Sequence, residues 1–175
     1  MTNKRGGARN VALGGVLLAL ALVVLFLASY VPGIELCLYA VSSLIVMIAI
    51  MELGLGLGAL FYLAVTLLSF VLIPARGAFL LFGAFFGAFP FVKYAVESRR
   101  KRVVEIIVKL LFFNAVMGLA LVFFRELFFA DLALPDFHWL ILAALAQPVV
   151  LLYDMVLTLA VGYYRDNLRK KINRE

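Results

Sequence analysis

Charged and amide side chains stand in or beside long apolar runs, among them Glu52, Lys93, Glu105, Lys109, Asn114, Gln147 and Asp154. An ionisable group in hydrocarbon is costly, so each one requires a partner or a task. Glu105 and Lys109 are four residues apart, with the glutamate on the N-terminal side, the favourable order for an ion pair on a helix. Lys93 and Glu97 repeat the spacing. Pairs of this kind neutralise each other, and their long stems reach the membrane surface. Asp154 has no local partner. It lies roughly 15 Å from the C-terminal end of its apolar run, and Lys109 lies roughly 10 Å from the same side in the preceding run. Consecutive antiparallel helices would therefore bring Lys109 and Asp154 together. Such a pair serves either helix packing or a proton-linked coupling site. Asn114 and Gln147 both fall near the bilayer midplane. They would either hydrogen-bond across helices or line a polar pocket. Pro148, directly after Gln147, removes a backbone donor and is expected to kink its helix. Glu52 is expected to sit at the interface and cap a hairpin.

Some other chemistry is excluded, while carboxylate or Ser/Lys chemistry stays open with nothing pointing to it. No GxxxxGK[ST] phosphate loop and no GxSxG elbow occurs. One histidine, His138, and one cysteine, Cys37, leave no internal disulfide and no His/Cys metal centre. Neither a catalytic residue nor a cofactor is assigned, and the chain reads as a non-enzyme. The formal charge of +6 does not mark a nucleic-acid binder. Its basic residues sit beside apolar runs, where they set topology and attract anionic headgroups.

The elements that must position these residues follow from composition. The chain has 175 residues, 66% of them hydrophobic and 15% charged, and its mean hydropathy is +1.13. A soluble domain is about half apolar, so this chain must present its surface to lipid. A helix needs roughly 20 apolar residues to cross about 30 Å of hydrocarbon. Six segments qualify: Val11 to Tyr30, Ile34 to Met51, Leu55 to Ile73, Ala78 to about Val96, Val103 to Phe124, and about Trp139 to Tyr164. The first is expected to be retained as a helix, not removed as a leader. Only Glu52-Leu53-Gly54 separates the second from the third, which predicts a tight helical hairpin. Arg125 to His138 mixes charges with Leu and Phe and reads as an interfacial helix followed by a turn. Backbone groups in lipid must be satisfied internally, which makes helices the default. The expectation is one all-α transmembrane domain: a cytoplasmic tail over 1–10, a bundle over 11–164 and a basic tail over 165–175.

Lysine and arginine give the orientation. They cluster at Lys4, Arg5 and Arg9, at Arg99 to Arg102, and at Arg165, Arg169, Lys170, Lys171 and Arg174. With six spans these three clusters share one face, and only Arg76 and Arg125 lie opposite. The positive-inside rule then places both ends in the cytoplasm of a multi-pass cell-membrane protein. Small residues supply two packing stripes. Gly15 and Ala19 mark the first span; Gly83 and Gly87, with Ala84 and Ala88, mark the fourth. Each stripe serves either packing within the chain or docking of another membrane subunit.

The stretches LLALALVVLFLASYVPG, MELGLGLGALFYLAVTLLSFVLIP and FGAFFGAFPFVK, set in six compact spans, resemble the substrate-binding S components of energy-coupling-factor vitamin transporters. The resemblance implies a small solute bound near the outer side, and docking onto a membrane scaffold subunit driven by ATPase subunits. Gly15 and Ala19 match the docking stripe, which is usually Ala-xxx-Ala in that family. On this reading Tyr30 to Glu35 forms a lid, and Tyr30, Glu35, Arg76, Asn114, Trp139 and Gln147 are the candidate solute-lining residues. In size and helix count the chain is also similar to the rod-shape membrane protein MreD, which implies a scaffold in the cell envelope. In that case the Gly83/Gly87 ridge and the basic ends would hold the partner.

Overall fold

The computed structural model describes residues 4–31, 33–73, 80–97, 102–123 and 137–168. Every regular element among them is helical: α1 (Lys4–Ala28), α2 (Glu35–Leu53), α3 (Leu55–Leu72), a π-helical turn (Phe82–Phe86), α4 (Phe89–Glu97), α5 (Arg102–Phe123), α6 (Phe137–Tyr163) and a second π-helical turn (Tyr164–Leu168). Among the described residues, five helices are long and apolar enough to cross a membrane. Arg76, most of Arg125 to His138, and the tail beyond Leu168 lie outside the described residues, as do the side chains of His138 and Trp139.

The chain divides into two compact units, Met1–Phe91 and Val92–Glu175. In the first, α2 is the central element and packs against α1, α3 and the first π turn. It buries Tyr39, Ile45, Val46, Met47, Ala49 and Ile50. Opposite faces of the neighbouring helices stay apolar and open. On α3, Leu60, Leu63, Leu67, Phe70 and Val71 are exposed at helical spacing. A water-soluble helix would carry polar groups there, so this row belongs against lipid.

The predicted hairpin is present, and its turn is a single residue. Gly54 has φ 86°, a left-handed conformation that suits glycine. Its N–H donates to the Ile50 carbonyl at 3.0 Å, and its own carbonyl accepts from Gly58 N–H at 2.8 Å. Gly58 then passes so close to α2 that an added Cβ would sit 3.0 Å from Ile50 Cα. Two glycines thus close the α2–α3 corner.

The fourth predicted segment is helical but not one continuous α-helix. Gly87 N–H donates to the Phe82 carbonyl, five residues back, at 2.6 Å. Pro90, the second residue of α4, has no N–H to return to Phe86, so the upstream ladder ends there and restarts in a new register. The second unit contains α5 and α6, which pack together, and α6 runs on into the second π turn. Pro148 lies inside α6, and the helix continues through it.

Candidate functional site: a ring of four charges

Three helices of the second unit each supply part of one polar cluster. From α4 come Lys93 and Glu97, from α5 Lys109, and from α6 Asp154 and Thr158. On α6 the residues Leu145, Val149, Leu152, Val156 and Leu159 form an exposed apolar row. Val150 and Leu157 are buried on the opposite side. Asp154 lies between them at helical spacing and so falls on the inward stripe. On α5, buried Phe113 follows Lys109 by one turn.

Lys93 Nζ donates to Glu97 Oε1 at 2.5 Å, to Asp154 Oδ1 at 2.7 Å and to Thr158 Oγ1 at 2.6 Å. Thr158 in turn donates its hydroxyl to the Asp154 carbonyl at 2.7 Å. Lys109 Nζ donates to Asp154 Oδ2 at 2.7 Å and to Glu97 Oε1 at 3.0 Å. The four charged groups therefore alternate in sign around a closed ring, and the ring is neutral. The lysine side chains are only 1% and 4% exposed, Asp154 is 19% and Glu97 is 35%. Burying two ammonium groups this deeply costs several kcal/mol per ion unless opposite charge and hydrogen bonds surround them. The ring supplies both.

The interhelical Lys109–Asp154 pair and the local Lys93–Glu97 pair form as their spacing predicts. The expected Glu105–Lys109 pair does not form. Lys109 turns instead to Glu97 and Asp154, because an inward-facing ammonium needs acceptors that are also inward. Sequence spacing did not reveal that Glu97 and Asp154 each serve both lysines, or that Thr158 completes the shell of Lys93. Its signal was modest: Thr158 is four residues beyond Asp154 on the same face.

One α-helical turn or more from the ring, Gln147 Nε2 donates to Asn114 Oδ1 at 2.9 Å, and Asn114 Nδ2 donates to the Leu110 carbonyl at 2.8 Å. These two proposed lining residues thus bond to each other. Tyr30 is exposed, with its ring 4.8 Å from that of Phe26. Glu35 is exposed at the first turn of α2.

The two small-residue stripes part ways. At Gly87 an added Cβ would lie 2.6 Å from the Tyr62 ring, and at Gly83 it would lie 3.0 Å from Thr66 Cγ2. Tyr62 also donates its hydroxyl to the Gly83 carbonyl at 2.6 Å. The Gly83/Gly87 ridge is therefore filled by α3 of the same chain, the packing side of the alternative. Gly15 and Ala19 are exposed, and nothing lies within 4 Å of a Cβ built on Gly15. Comparison of the chain with protein-family models, with curated proteins and with solved structures finds no match in any of the three.

Proposed function

We propose that this chain is a transport subunit of the S-component type: a non-enzymatic membrane protein that handles a small solute and borrows its energy from partner ATPases. In this reading it crosses the bilayer six times with both ends in the cytoplasm. Residues 80–97 are the fourth crossing. This stretch contains both the π turn and α4, and its length is close to the roughly 20 residues that a helical crossing needs. The three basic clusters then share the cytoplasmic face.

The observation that carries the reading is the open stripe on α1. Ala12, Gly15 and Ala19 all face outward, at a spacing that lets another helix approach closely. The competing ridge at Gly83 and Gly87 is already occupied from within. The chain should co-purify from native membranes with a transmembrane scaffold and a nucleotide-binding subunit identified by mass spectrometry. Gly15→Leu/Ala19→Leu should abolish that capture while the isolated chain keeps its melting temperature. Wild-type protein that brings down no nucleotide-binding subunit would end the proposal.

The second reading is an envelope scaffold of the MreD kind. It draws support from the Asn114–Gln147 bond, which spends two proposed solute contacts on each other. A full screen of vitamins, purines and metal ions that shifts the melting temperature with none of them would favour it.

A further inference from the structure

The four members of the ring are not equally held. Asp154 sits mid-helix and engages the lysines through both oxygens, Oδ1 to Lys93 and Oδ2 to Lys109. Glu97 engages both lysines through one oxygen, Oε1. Glu97 is also the most exposed of the four. Lys109 has two acceptors for its three N–H groups among the described residues. Among the described residues the cluster is therefore least covered at Glu97, a carboxylate on a flexible stem.

A carboxylate oxygen between two buried ammonium groups has the geometry of a bound anion. If Glu97 swings outward, the remaining Lys93, Lys109 and Asp154 carry a net charge of +1 in a poorly solvated place. That state is unfavourable unless another anion enters. Exchange of one carboxylate-like group for another leaves the buried charge unchanged, so it avoids the desolvation cost of a bare ion. Ammonium groups donate strongly to carboxylate and phosphate oxygens alike.

We propose that Lys93 and Lys109 form a binding site for an oxyanion, a carboxylate or a phosphate, and that Glu97 is its displaceable built-in occupant. The site does not depend on the transport reading. The phosphate could belong to a free solute or to the headgroup of an anionic lipid, and the test separates these sources.

The full-length chain, purified in a neutral detergent, is melted in increasing sodium phosphate, sodium acetate or sodium chloride at constant ionic strength. A parallel series uses mixed micelles of phosphatidylglycerol or phosphatidylcholine. Glu97→Ala should bind at least one oxyanion at least about tenfold more tightly than wild type, because a tethered competitor at high effective concentration has been removed. Glu97→Ala/Lys109→Gln should lose that gain. If Glu97→Ala does not fold, Glu97→Gln, which keeps the size without the charge, is titrated in its place. A gain with phosphate or acetate identifies a solute site. A gain with phosphatidylglycerol alone identifies a lipid site. Equal response to chloride and oxyanions, no gain over wild type, or a gain that survives loss of Lys109 would overturn the proposal.

Discussion

Asp154→Asn is the sharpest probe of the ring, because it removes one charge and almost no volume. Asparagine can keep one acceptor toward Lys93 or Lys109, but its amide then turns donor protons toward the other ammonium. Two lysines with 1% and 4% side-chain exposure would be left sharing Glu97 as the one remaining carboxylate of the ring. Breaking a buried pair in this way costs about 3–5 kcal/mol. The 19% exposure of Asp154 puts the expectation at the lower end, about 3 kcal/mol. Lys109→Met leaves the opposite imbalance and should cost a similar amount. The double variant is neutral again and retains the Lys93–Glu97 pair, so it should be less destabilised than the sum by about 2–3 kcal/mol. The measurement is a double-mutant cycle in reversible unfolding by sodium dodecyl sulfate from mixed micelles. Additivity within about 0.5 kcal/mol would mean the two groups do not interact, and the ring would be refuted as a source of stability.

Glycine substitutions should separate the two small-residue stripes. Gly87→Ala drives a methyl group into the Tyr62 ring and should lower stability by about 1–3 kcal/mol, whereas Gly15→Ala should leave the melting temperature of the isolated chain unchanged or slightly raised. Equal effects at the two sites would show that the orientation of one stripe is wrong. For Asn114 and Gln147, a cycle of alanine variants should give a coupling of about 0.6 kcal/mol and at most about 1.7 kcal/mol, the range of hydrogen bonds between membrane helices. Zero coupling would release both side chains for another role.

Much of this molecule was legible in its hydropathy. The predicted runs from Ile34, Leu55 and Val103 begin within a residue of α2, α3 and α5. An apolar run in lipid has only its own backbone to bond with, so a long run leaves one solution. The helix α1 starts at Lys4, seven residues before the apolar run, because helical hydrogen bonding does not stop where charge begins. Depth and chain order also put Lys109 within reach of Asp154 and Asn114 at the level of Gln147, and the structure joins each pair.

What the tertiary structure alone decided was the rotation of each helix about its axis. In water the polar face announces itself; in lipid both faces are apolar, and composition leaves the angle open. Gly15-xxx-Ala19 and Gly83-xxx-Gly87 read alike as strings, yet one is open and the other holds Tyr62. Spacing along α5 favoured Glu105 as the partner of Lys109, yet Glu97 and Asp154 hold it from two other helices. A buried ammonium takes the acceptors that share its burial, and which acceptors those are depends on how three helices face each other.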